Sequence, residues 1–129
     1  MSDNFYSSSS SGYIRTHVTS WAGTLPATAG NISYIKMGNQ VTLQFVNVQG
    51  MSLTTNVIIA TVNLPAEILP RVSLFLPFKV FVNGLGNLGM INIDNIAGQI
   101  QVNSALAGGN FTPGVTNGFP PQYIRYFTN

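Results

Sequence analysis

The chain has 129 residues, the length of one domain, and only 6% of them are Asp, Glu, Lys or Arg although 45% are hydrophobic. Ordinary soluble domains carry about 25% charged residues, and disordered chains are charged and poor in apolar residues, so this is a folded chain whose polar surface is built from Asn, Gln, Ser and Thr. Its five basic residues are scattered, which argues against a phosphate-tracking nucleic-acid surface, and the absence of cysteine excludes disulfides, thiolate catalysis and cysteine-ligated metals.

Residues 1–12 read as a flexible N-terminal arm, because a run of serines has nothing to bury and costs entropy to order. Phe5 and Tyr6 within it are either exposed aromatics of a leader or an anchor that docks on a partner. The N-terminus lacks a positively charged start followed by an apolar core, so no signal peptide is expected. Residues 13–129 are expected to form the domain.

A strand is predicted over 13–21, from alternation and aromatic and β-branched content, followed by a loop over 22–30 punctuated by Gly23, Pro26 and Gly30. A second strand covers 31–37, and Gly38-Asn39 makes a tight hairpin turn. Val41, Leu43 and Phe45 alternate with Thr42 and Gln44, the clearest half-buried strand of the chain; the phase changes at Val46 and Val48, where a bulge is expected. Residues 49–56 read as a loop and 57–64 as a strand stopped at Pro65, with 66–71 a helical turn or an extended crossover. The long apolar segment 72–83 contains Pro77, which should split it or place it at a sheet edge. Lys79 also interrupts this run, which is too short to span a membrane, so no membrane insertion is expected. Gly84, Gly86 and Gly89 form a turn region before a hairpin of 88–93 with 97–103. Residues 104–121 form the longest non-strand region, of a length that is usually functional or ordered by a neighbour, and 122–128 is an aromatic final strand. About eight strands and no amphipathic helix predict an all-β fold, a single antiparallel β-sandwich of jelly-roll type.

Few residues carry chemistry. His17 is the single histidine, with no neighbour at metal-ligand spacing, and reads as a strand residue facing solvent or another subunit. Glu67 and Asp94 each lie beside a turn, the place of acidic residues that make local hydrogen bonds rather than of a catalytic pair. No serine has a nucleophile-elbow context, and Gly84, Gly86 and Gly89 miss the dinucleotide-binding spacing. The chain is therefore expected not to be an enzyme, with no catalytic residue, metal or cofactor. Trp21 either plugs the sandwich or a subunit interface, or offers a sugar-stacking platform. Tyr123 and Tyr126 lie on opposite strand faces, so one of them should be exposed or at an interface. Trp21 and Tyr123, with Asn110, Phe111 and Phe119 of the long 104–121 region, are the candidate receptor or subunit contacts. The shortage of charge points to a chain packed against copies of itself or other subunits, since obligate interfaces are depleted in charge.

The order of these segments resembles the head domains of trimeric viral and phage fibre proteins. The resemblance runs over 21–126: a tryptophan strand and short loop (Ser20-Trp21-Ala22-Gly23), a strand, glycine turn and V-x-L strand (34–38 and Val41-Thr42-Leu43), then Leu64-Pro65 with Pro70 following. It continues with Gly89-Met90-Ile91-Asn92-Ile93, Gly98-Gln99-Ile100 and the aromatic close Tyr123-Ile124-Arg125-Tyr126. It implies a homotrimeric β-sandwich head on the virion surface that binds a host receptor, often a glycan; the missing cysteines point to assembly in the reducing host cytoplasm, and the arm is expected to attach the head to other virion proteins. Fibre heads sit on long shafts, whereas only the arm precedes the first strand here, so two further readings stand beside it: a minor capsid or cement protein, and a lectin-like carbohydrate-binding module. An exposed 105–121 region at the end distal to the arm would favour receptor contact.

Overall fold

The computed structural model describes residues 12–129, which form twelve β-strands and one 3-10 turn; Phe5 and Tyr6 lie outside the described residues. The strands are β1 (Arg15–His17), β2 (Ser20–Gly23), β3 (Thr28–Ala29), β4 (Ile32–Met37), β5 (Gln40–Phe45), β6 (Val48–Met51), β7 (Ile58–Ala60), β8 (Leu74–Val82), β9 (Leu85–Ile93), β10 (Ile100–Asn103), β11 (Thr116–Phe119) and β12 (Gln122–Phe127). The 3-10 turn, Ala66–Ile68, follows the Leu64-Pro65 stop. All pairings are antiparallel, in a four-stranded sheet of order β1-β4-β5-β12 and an eight-stranded sheet of order β3-β2-β7-β10-β9-β8-β11-β6. The outermost strands of the larger sheet, β3 and β6, approach each other, so that sheet nearly closes into a barrel-like sandwich. The all-β sandwich expected from the sequence is the fold.

The strand count exceeds the expected eight for two reasons. The predicted 13–21 strand is two strands in different sheets, β1 pairing with β4 and β2 with β7; the chain changes sheet at Val18-Thr19, where the Thr19 amide donates to Asn31 Oδ1 at 3.1 Å. In addition, segments read as loops contain the short strands β3, β6 and β11, too poor in apolar alternation to announce themselves. Of these, β11 matters most: the 104–121 region is not one long loop, because Thr116–Phe119 inserts between β8 and β6.

The turn between β8 and β9 is tighter than predicted. It consists of Asn83 and Gly84 alone, at φ +53° and +75°, the positive pair a type I′ hairpin requires. Gly86 and Gly89 are strand residues. A side chain at Gly89 would run into the Asn103 carbonyl oxygen of β10 and the Val80 side chain of β8, so close approach of the backbone, not a turn, explains that glycine.

Pro77 does not split its segment. It lies within β8 opposite Met90, and counting from the Val82–Leu85 pair that closes the two-residue turn puts its missing N–H on the side away from β9. That side is an open edge here, because β11 reaches β8 only at Phe81. Lys79 has the same orientation, and the Gln122 side-chain amide occupies its backbone, accepting from the Lys79 N–H at 2.9 Å and donating to its carbonyl at 2.8 Å. A proline and a capping glutamine thus block part of an edge that would otherwise template pairing with another chain.

Between the sheets, Trp21, Phe45, Phe78 and Phe119 form an aromatic cluster with centroid separations of 5.0 Å (Trp21–Phe119), 5.1 Å (Phe45–Phe78) and 5.3 Å (Phe78–Phe119) in edge-to-face arrangements. Leu43, Ile32 and Val41 surround it from the smaller sheet; Ile58, Ile91, Ile93 and Ile100 do so from the larger. The Trp21 indole N–H donates to the Gly30 carbonyl at 2.8 Å, so this fully buried side chain leaves no polar atom unpaired.

Candidate functional site

The register defines two ends. At one, the Gly38-Asn39 turn meets the end of β12, where the Thr128 amide donates to the Asn39 carbonyl at 2.8 Å, and Pro70 bridges Thr128 at the approach to β8. β8 then runs about 30 Å at the usual strand rise to the Asn83-Gly84 turn at the opposite end. There the Gly84 amide donates to Thr116, Ser52 to Val115 and Gly114 to Ser52, and the Asn87 amide reaches the Ser104 carbonyl at 3.1 Å. Residues 51–57, 83–87 and 104–116 therefore gather at one end, and none of them is Asp, Glu, Lys, Arg or His. Met51, Leu53, Leu85 and Leu106 are exposed there.

The first end holds Lys36, Glu67, Arg71 and Asp94 and uses them internally. Lys36 Nζ donates to the Glu67 carbonyl at 3.1 Å, the Arg71 guanidinium to the Thr128 carbonyl at 3.3 Å, and the Tyr34 hydroxyl to Glu67 Oε1 at 3.1 Å. Burial, then the bond to Glu67, raises the Tyr34 pKa. Tyr126 donates to the Ile68 carbonyl at 2.7 Å in a buried site, and desolvation lifts its phenol well above the ordinary tyrosine range. Asp94 closes the β9–β10 turn by accepting from the Ile96 amide at 3.2 Å and from that of Ala97, the local role expected of it. His17 corrects the expectation of a solvent-facing strand residue: it is buried, its Nε2–H donating to the Val62 carbonyl at 3.0 Å. Among the described residues no cluster of His, Cys, Asp and Glu has the makings of a metal site, and no helix is long and apolar enough to cross a membrane.

Of the candidate contacts, Trp21, Phe111 and Phe119 belong to the core and offer no surface, so the sugar-platform alternative for Trp21 fails. They stand out in the sequence as aromatics beside glycines and prolines, but β2 and β11 point Trp21 and Phe119 inward and a bridge from Phe111 to Asn56 pins the third. Asn110 is exposed at the uncharged end, its carbonyl held by Ser104 Oγ at 2.9 Å. Tyr123 is exposed and Tyr126 buried, as strand parity required. The Arg125 guanidinium lies 5.1 Å from the Tyr123 ring centroid, and Tyr123 also borders an open cleft of about 470 Å³ with Gln44, Lys79, Pro121 and Gln122.

The outward face of the four-stranded sheet carries Ile14, Ile35, Met37, Tyr123 and Phe127 among Thr16, Ser33, Thr42 and Gln44, with Arg125 its one ionised side chain. At Gly12 the chain lies directly over Ile35 and Met37. The outward face of the larger sheet presents Phe75, Pro77, Phe81, Leu88 and Met90 along β8 and β9. Sequence inspection missed Phe75, because the continuous apolar run Leu74-Phe75-Leu76-Pro77-Phe78 hides which residues face out.

No protein-family model matches the sequence, and no curated protein matches it. The fold is similar to that of the reovirus attachment protein sigma1, solved in complex with alpha-2,3-sialyllactose, at a TM-score of 0.48 and 15% identity over 90% of this chain and 67% of that one.

Proposed function

We propose that this protein is a structural subunit of a virus particle surface, a head that associates as a homotrimer and turns its uncharged end toward the host. The observation that carries the proposal is the segregation of charge: three loop segments converge at one end without an ionisable side chain and expose Met51, Leu53, Leu85 and Leu106. Such a surface is cheap to desolvate and is the composition of a contact patch rather than of a free, solvated tip. The position of Asn110 and its neighbours at that end, away from Gly12, supports receptor contact over a purely cementing role. The proposed role is binding, not catalysis, because Glu67 and Asp94 are each engaged in local hydrogen bonds.

Self-association is assigned to the outward face of the four-stranded sheet, whose neutral polar and apolar side chains suit a partner equally poor in charge. Sedimentation equilibrium tests this: the full-length protein should be a trimer, and Thr42→Arg, at the centre of that face, should give folded monomer. A monomeric unsubstituted protein at micromolar concentration would contradict the assembly reading.

A further inference from the structure

A groove of about 190 Å³ opens on the outward face of the larger sheet, close to the charged end and separate from the converging loops of the uncharged one. The β-register builds it. Phe75 of β8 lies opposite Asn92 of β9, and Asn92 opposite Gln101 of β10, so three side chains form a row across three strands on one face. Ser73, Asp94 and Gln99 line its end near the β9–β10 turn.

The chemistry of this lining is selective. Phe75 is 66% exposed, although it lies in a strand whose alternate residues fill the core. Beside it stand three side-chain amides, groups that both donate and accept, as sugar hydroxyls do. Gln101 Nε2 donates to Gln99 Oε1 at 3.3 Å, which leaves the Gln101 oxygen and the Gln99 amino group uncommitted by that bond. Asn92 Nδ2 donates to Asn103 Oδ1 at 3.2 Å, while Asn92 Oδ1 is buried without any partner, the sole such side-chain atom among the described residues. No Lys, Arg or His lines the groove, and Asp94 is its one ionisable group, so phosphates, nucleotides and acidic sugars are disfavoured. The volume lies below the roughly 300 Å³ at which pockets for drug-sized ligands begin, a size for one ring with the remainder of a chain lying outside.

We propose that this groove binds one ring of an uncharged saccharide, with the apolar face of the ring on Phe75 and its hydroxyls on Gln99 and Gln101. The inference builds on the host-contact role proposed above, but its site is distinct from the uncharged end and can be tested on the isolated protein.

The test is a titration of the isotopically labelled full-length protein, followed by NMR through the side-chain amide signals of Asn92, Gln99 and Gln101. Lactose, maltose and chitobiose serve as neutral probes and 3′-sialyllactose as the charged one. At least one neutral probe should shift those signals at millimolar concentration, and Phe75→Ala should weaken binding about tenfold with the remainder of the spectrum unchanged. Phe75→Tyr should retain binding, and 3′-sialyllactose should bind no more tightly than lactose. The proposal is overturned if no neutral probe moves the three amides, if the shifts survive Phe75→Ala, or if the sialylated probe is preferred. Burial of the uncharged end on assembled particles would refute the contact role, and binding by the isolated protein would still leave the saccharide site standing.

Discussion

Around the Gly38-Asn39 turn and Thr128, side chains that carry charge are spent on holding the chain together: Lys36 and Arg71 donate to backbone carbonyls, and Glu67 accepts from Tyr34. They fasten the irregular 64–73 crossover to the smaller sheet, beside the Pro70–Thr128 bridge and the bond from the Arg71 amide to the Phe127 carbonyl. At the opposite end the same task falls to an uncharged residue. Asn117, fully buried on β11, accepts from the Asn83 amide at 3.1 Å and donates to Ser52 Oγ at 2.6 Å and to the Thr112 carbonyl at 3.0 Å, joining three loops. One end is thus built to hold irregular chain with ionic groups, the other to keep its loops ordered without placing any charge at the surface. A loop rim ordered from within by an amide remains free to be desolvated from without.

Breaking the uncharged end should have the larger effect. Asn117→Ala leaves the buried Ser52 hydroxyl without this partner and releases the Asn83 amide of the turn, and is expected to cost about 2 kcal/mol, read from urea denaturation. The loss should appear with faster hydrogen exchange in the 83–84 turn and the 112–116 segment; an effect spread evenly over both ends would dissolve the contrast.

At the charged end, Tyr126→Phe removes the bond to the Ile68 carbonyl and should cost about 1 kcal/mol at neutral pH. Its signature lies in the alkaline range. The unfolded chain ionises tyrosine at its ordinary value of 10.0, whereas burial holds the folded phenol protonated well above that. Above pH 10 the folded state therefore binds more protons than the unfolded state, and stability must fall as pH rises. Thermal unfolding followed across that range should show a shallower decline in Tyr126→Phe than in the unsubstituted protein. The residual slope belongs in part to Tyr34, also raised by burial and by its bond to Glu67.

Much of this molecule can be read from its residues, and the parts that cannot share a cause. Alternation identifies β5 and its buried face, strand parity sends Tyr123 outward and Tyr126 inward, and Leu64-Pro65 marks the stop before the crossover. The strands that escape such a reading, β3, β6 and β11, are two to four residues long and contain glycine or threonine where an apolar repeat would sit; the neighbouring strands, not their own propensity, make them strands. β8 is legible as a strand and illegible as a surface: its apolar residues do not alternate with polar ones, so nothing local separates buried Phe78 from exposed Phe75. Phe119 misleads in the opposite sense, reading as a contact, and Trp21 reads as either a plug of the sandwich, which it is, or a contact, because their inward aim follows from pairings with strands distant in sequence.

The contrast between the ends carries the functional claim, and a chain without cysteine allows it to be tested cleanly. Leu85→Cys marks the uncharged end and Asn39→Cys the charged one; both positions are exposed, so each substitution should change stability by no more than about 0.5 kcal/mol. Assembled particles carrying either variant would be treated with a membrane-impermeant maleimide and compared with the isolated protein. The account predicts that Leu85→Cys is labelled equally in both, while Asn39→Cys is labelled in the isolated protein and protected on the particle. Protection of Leu85→Cys on the particle, with Asn39→Cys open, would contradict it.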